Sequence, residues 1–134
     1  MCPPLTCFLI DDDIEDQEIF EIALNEVDLD VKLVATTDGQ RALNLLMEDT
    51  DLKPDIIFLD LNMPGMDGKE CLIKMRKLSH LETVPIIIYT TSRAPYELED
   101  MLQLGGTHFF SKPNTITELS SGPVAIFQDN FYKR

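Results

Sequence analysis

Asp11-Asp12-Asp13, Asp60 with Asn62, Thr90-Thr91-Ser92 and Lys112-Pro113 are the residues through which this chain could do chemistry. Each set stands directly behind a short apolar run. If those runs are strands of one open α/β sheet, all four sets lie at the rim beyond the carboxyl ends, where such sheets bind ligands. With the first and third runs as neighbours, Asp11, Asp12 and Asp60 converge. Like charges about 4 Å apart cost several kcal/mol in partly buried surroundings, so gathered carboxylates call for a cation or for raised pKa values. A hard divalent ion takes one or two carboxylates and completes its shell with water and phosphate. No His or Cys stands near to suggest zinc. Magnesium answers best, with manganese as a substitute. Such an ion beside a hydroxyl (Thr90) and an ammonium (Lys112) suits phosphoryl transfer, which is mostly positioning and charge stabilisation. A carboxylate can be the nucleophile, and Asp60 is the candidate because it lies between the acidic pair and the Thr/Lys pair.

The elements that must position these groups can be read from periodicity. Five apolar runs rich in β-branched or aromatic residues are expected strands: Thr6 to Ile10, Val31 to Thr36, Asp55 to Leu59, Val84 to Tyr89 and Thr107 to Ser111. Several are continuous rather than alternating, as in strands buried on both faces. Between them the spacing is helical. Ile19, Phe20, Ala23, Leu24 and Val27 share one face; Ala42, Leu43, Leu46 and Met47 share another after Asp38-Gly39. Cys71, Leu72, Met75 and Leu78 follow Gly68. Leu98, Met101 and Leu102 follow Pro95, which suits a first turn, and Gly105 suits a stop. A short fifth helix could begin near Asn114 or Thr115. Strand and helix alternating five times predicts a parallel sheet with helices on both faces. Ser120-Ser121-Gly122-Pro123 breaks the last helix, and residues 120–134 form an irregular tail.

Composition narrows the function. The 134 residues suffice for one domain with a sizeable core, read as residues 1–134. The formal net charge of −13 would repel a phosphate backbone, so direct nucleic-acid binding is not expected. Cys2, Cys7 and Cys71 are odd in number and unlike a metal clip, which fits reduced thiols in a cytoplasmic protein. No signal peptide opens the chain, and no stretch approaches the ~20 apolar residues of a membrane span. His80 and His108 stand outside any partner motif.

Four stretches in order carry a family resemblance: Phe8-Leu-Ile-Asp-Asp-Asp13, Asp55-Ile-Ile-Phe-Leu-Asp-Leu-Asn-Met-Pro-Gly-Met-Asp-Gly68, Val84-Pro-Ile-Ile-Ile-Tyr-Thr-Thr-Ser92 and Phe109-Phe-Ser-Lys-Pro113. From about Thr6 to Leu119 the chain resembles the receiver domains of two-component response regulators, single-domain chemotaxis regulators among them. The resemblance implies a doubly wound, flavodoxin-like sheet of order 2-1-3-4-5. It implies Asp60 as phosphoacceptor, Asp12 as a direct metal ligand, Asp11 as a ligand through water and the main-chain carbonyl of Asn62 as a further ligand. Thr90 and Lys112 would bind the phosphoryl group, and Phe109 falls at the aromatic switch position. Asn62 and Ser92 would flank the path of the hydrolytic water and tune the lifetime of the acyl phosphate. The Lys112-Pro113 bond is expected to be cis, as in similar chains. The break at Gly122-Pro123 departs from the longer fifth helix usual in the family.

Other readings fit less well. Asp11-Asp12-Asp13 alone could be a solvated turn capping a helix, with Asp13 as the cap. Read as an EF-hand loop from Asp11, the chain puts Asp16 where the turn glycine belongs and Ile22 where the bidentate Glu belongs. A haloacid-dehalogenase-like phosphatase wants a second carboxylate where Asn62 stands, and a cap. A flavin module wants a Gly/Ser/Thr loop where three aspartates stand. Phe109 alone would be a core residue. The resemblance implies a regulator, not an enzyme beyond its own phosphorylation and dephosphorylation. Its expected partners are a sensor histidine kinase or a histidine phosphotransfer protein, and a downstream protein target.

Overall fold

A computed structural model describes residues 5–26, 31–48, 53–61, 68–90 and 95–111. Strand and helix alternate as the periodicity predicts: β1 (Leu5–Ile10), α1 (Ile14–Glu26), β2 (Val31–Thr36), α2 (Gly39–Glu48), β3 (Ile56–Leu59), α3 (Gly68–Arg76), β4 (Ile86–Thr90), α4 (Pro95–Gln103) and β5 (His108–Ser111). A single 3-10 turn, Ser79–Leu81, leads from α3 towards β4. The five strands form one parallel sheet in the order β2-β1-β3-β4-β5. The expected fifth helix and the tail fall outside the described residues.

The limits of four strands, β1, β3, β4 and β5, differ from the sequence reading by one or two residues, and two of these differences have clear local causes. Asp55 stays out of β3 because its carboxylate accepts the Thr6 amide at 2.7 Å while its own amide donates to the Thr6 carbonyl at 2.8 Å. Pro85 has no amide hydrogen, so the ladder of β4 opens one residue later, with the Pro85 carbonyl accepting from Ile57 at 2.9 Å.

The pleat divides the core in two. Phe8, Ile10, Ile57, Leu59, Ile86 and Ile88 face one side, where Ala42, Leu43 and Leu46 of α2, Cys71, Leu72 and Met75 of α3, and Met101 of α4 cover them. Cys7, Leu9, Ile56, Phe58, Ile87 and Tyr89 face the other, beneath Phe20, Ala23 and Leu24 of α1. There Phe20, Phe58 and Tyr89 meet edge to face, with ring centroids 4.9 to 6.1 Å apart. Three residues assigned by spacing to buried helix faces are exposed: Ile19 at 37%, Met47 at 57% and Leu102 at 45%. Each adjoins a buried residue in sequence, and one step along a helix turns a side chain by about 100°. The contact arc on the sheet is narrower than the apolar stripe. Cys7 lies wholly within the core, and burial pushes its thiol well above the ordinary value of 9.0. Cys71 is buried too, on the opposite face.

Candidate functional site

The central strands end together. Ile10 is in register with Leu59, so Asp11 and Asp60 are the next residues off two hydrogen-bonded strands. The Asp60 amide donates to the Ile10 carbonyl at 2.9 Å, and the Asp11 amide to the Thr36 carbonyl at 3.1 Å, which extends the ladder one step into the acidic rim. Asp11 is fully buried and Asp60 is 3% exposed, while Asp12 is exposed.

One carboxylate oxygen from each of Asp11, Asp12 and Asp60 lies within 4.8 Å of the others. At an effective dielectric of about 20, two charges at that separation repel by roughly 3 kcal/mol. The cost falls chiefly on the two buried members. A donor set made only of oxygen, with two buried members and one open to solvent, fits a hard divalent cation that keeps part of its water.

Asp13 has a different task. Its Oδ1 accepts the amides of Glu15 and Asp16 at 2.9 and 3.4 Å, and its carbonyl accepts the Gln17 amide. It is the N-cap of α1, as its residue type suggests. Asp11 Oδ1 in turn accepts the Asp13 amide at 3.0 Å, which folds the three aspartates into a tight turn. Asp38 caps α2 in the same manner, its Oδ1 accepting from Gln40 and its carbonyl from Ala42.

Two residues not singled out for the site shape it. The Gln17 side-chain amide donates to the carbonyls of Asp11 and Thr36 at 2.8 and 3.0 Å. Gly68 opens α3 hard against the strand end: a β-carbon there would lie 2.6 Å from the Asp60 carbonyl oxygen and from the Leu61 Cα. Its amide donates to the Leu61 carbonyl at 3.1 Å. Gly68 was legible as a helix start but not as a steric requirement.

Thr90 is the last residue of β4 and pairs with Ser111 of β5, so the backbone carries Thr90 to the same carboxyl-end edge, and Lys112 follows Ser111 in the chain. Phe109 is half-buried on β5 beside Ile88, packed on the core face that α2, α3 and α4 cover. Asn62, Ser92, Lys112 and the Lys112-Pro113 bond lie outside the described residues.

A doubly wound parallel sheet whose first and third strands end in a carboxylate cluster defines a narrow class of protein. The chain belongs to the response regulator receiver domain family, whose model matches residues 7–122. It is 26% identical over 121 residues to response regulator Rcp1 of Synechocystis sp., covering 87% of this chain and 82% of that protein. It is 31% identical over 108 residues to sporulation initiation phosphotransferase F of Bacillus subtilis, covering 79% and 83%. The solved structure of the Mn2+-bound form of Rcp1 superposes with a TM-score of 0.81 at 23% identity, over 97% of this chain and 96% of that one. The family and the sheet order agree with the expectations drawn from the four sequence stretches.

Proposed function

We propose that this receiver domain is a phosphorylation-dependent switch in a two-component phosphorelay, with Asp60 as its phosphoacceptor. The observation that carries this reading is the gathering of Asp11, Asp12 and Asp60 within 4.8 Å at the carboxyl-end rim of a receiver fold. Asp60 lies innermost at the end of the central strand β3, flanked by β1 and β4.

The donor is a phosphohistidine on a sensor kinase or phosphotransfer protein. An Asp60 carboxylate oxygen attacks phosphorus; the O–P bond forms as the P–N bond breaks, and the departing imidazole nitrogen takes up a proton. Loss of the signal is the attack of water on the same phosphorus, which returns the carboxylate and inorganic phosphate. Asp12, Asp11 (through water), Asp60 and the Asn62 carbonyl would hold Mg2+, or Mn2+ in its place. That ion supplies positive charge against the equatorial phosphoryl oxygens. Lys112 supplies a second cation, and the Thr90 hydroxyl donates a hydrogen bond. Asn62 and Ser92 border the approach of the hydrolytic water. The acidic rim therefore holds the nucleophile still and neutralises the charge that gathers on the transferring group.

The output is a change of partner-binding surface. Thr90 moves toward the bound phosphoryl group, and the half-buried Phe109 ring turns inward on β5. The protein acts in the cytoplasm through a downstream protein target and touches neither membrane nor nucleic acid. Among the described residues, no helix is long and apolar enough to cross a membrane.

The test uses acetyl phosphate with Mg2+. The expected result is stoichiometric, base-labile labelling that disappears in Asp60→Asn and on chelation with EDTA. Labelling that survives Asp60→Asn, or many turnovers of a phosphate ester, would place the chemistry elsewhere.

A further inference from the structure

We infer that Gln17 is a positioning residue for the divalent cation, acting through the backbone that carries Asp11 and Asp12; the inference rests on the metal-binding reading of that acidic cluster. The carboxamide nitrogen of Gln17 sits within hydrogen-bond distance of two main-chain oxygens, Asp11 at 2.8 Å and Thr36 at 3.0 Å. The Thr36 oxygen also accepts the Asp11 amide at 3.1 Å. One NH2 group thereby spends both of its hydrogens on the ends of two adjacent strands, β1 and β2. It closes a three-membered ring of hydrogen bonds around the point where β1 becomes the acidic turn.

The Asp11 carbonyl belongs to the peptide plane that joins Asp11 to Asp12. Holding that oxygen sets the orientation of the plane, and with it the direction in which Asp12 leaves the chain. Asp12 needs such help. Its side chain is exposed, and among the described residues it accepts no hydrogen bond. Asp11 is held by burial and by the Asp13 amide on its Oδ1. The exposed member of the carboxylate set is therefore placed by backbone alone, and Gln17 grips that backbone. Gln17 itself is fixed, because it lies in the first turn of α1 with its amide bonded to the Asp13 carbonyl at 3.1 Å. Residues that orient metal-binding groups in this way are worth about 10- to 100-fold in affinity.

The experiment compares wild type with Gln17→Met, which keeps the reach and loses both donors, and with Gln17→Arg, which keeps N–H donors. Mn2+ binding is titrated by the electron paramagnetic resonance of the free ion, and hydrogen exchange is followed at the amides of Asp11, Asp12 and Asp13. The expected result is Mn2+ affinity weakened about tenfold or more in Gln17→Met, with faster exchange confined to that turn and partial recovery in Gln17→Arg. A folded Gln17→Met protein that binds Mn2+ as wild type does would overturn the assignment. So would a uniform loss of stability with unchanged affinity, which marks a merely structural glutamine. Should Gln17→Met not fold, the same two measurements on Gln17→Asn, one methylene shorter, decide in the same direction. Wild-type protein that binds no Mn2+ would instead refute the metal reading itself.

Discussion

Gly68 has no space for a side chain. A methyl group there meets the carbonyl oxygen of Asp60 and the backbone of Leu61 at 2.6 Å, and both are backbone atoms that cannot swing aside. The close approach lets α3 start directly against the end of β3, where Asp60 stands. Gly68→Ala must push α3 outward or displace the end of β3. We expect a loss of about 2 kcal/mol in urea denaturation, within the range for overpacked sites, and slower labelling of Asp60 by acetyl phosphate in the molecules that remain folded. Full stability with normal labelling would show that the end of β3 and the start of α3 yield to the extra carbon. The contrast with Asp13 is instructive. Its role is local, a cap on α1, and it could be read from its place before a helix.

Among the elements, the two ends of the sheet are built on different principles. The carboxyl-end rim is assembled from short turns and carboxylates. The opposite end is tied by Arg76, the last residue of α3. Its Nε and Nη2 donate to the Gly105 carbonyl at 2.9 and 2.7 Å, and its Nη1 donates to Val84 and Leu81 carbonyls at 2.7 and 2.9 Å. A single guanidinium thus joins α3, the connection into β4 and the turn between α4 and β5. Burial pulls its pKa below the ordinary value, yet an arginine stays charged in proteins. Gly105 fits this clamp because its φ of 121° ends α4 and because a β-carbon there would strike the Arg76 side chain. Its amide donates to Leu102 and that of Gly106 to Met101, the paired bonds of a helix stop. Arg76→Met removes the donors for four carbonyls, those of Gly105, Leu81, Val84 and, at 3.4 Å, Glu82, and we expect it to cost about 3 kcal/mol of unfolding free energy. Labelling of Asp60, at the far end of the sheet, should persist per folded molecule. Loss of labelling in a folded variant would reveal coupling between the two ends.

At the scale of the whole molecule, charge governs behaviour. Twenty-four acidic residues face eleven basic ones. Three acids are crowded at one rim, and two of them are buried. A cation that binds only the folded chain stabilises it by mass action, about 2.7 kcal/mol at a hundredfold excess over its dissociation constant. Thermal unfolding in rising MgCl2 should therefore shift upward by several degrees and return on adding EDTA. KCl at equal ionic strength should give a smaller shift, because screening relieves general repulsion without filling the site. Asp11→Asn should lose most of the magnesium-specific part. An identical response to both salts would argue against a specific cation at the rim.

The sequence by itself determined the element order and the family. It also showed which residue types stand behind each strand, because those features are local: a continuous apolar run, a helical repeat and a polar residue at a strand end are all written within a few neighbouring positions. The parallel sheet followed from alternation, and its strand order from what the family resemblance implies. Tertiary structure alone decided that Asp11 and Asp60 are buried while Asp12 is exposed, that Gln17 reaches across to β2, that Gly68 touches Asp60, and that Ile19, Met47 and Leu102 stay in solvent. Each of these depends on the distance between elements remote in the chain. That distance is set by how crossovers pack on a twisted sheet, a quantity no local pattern encodes.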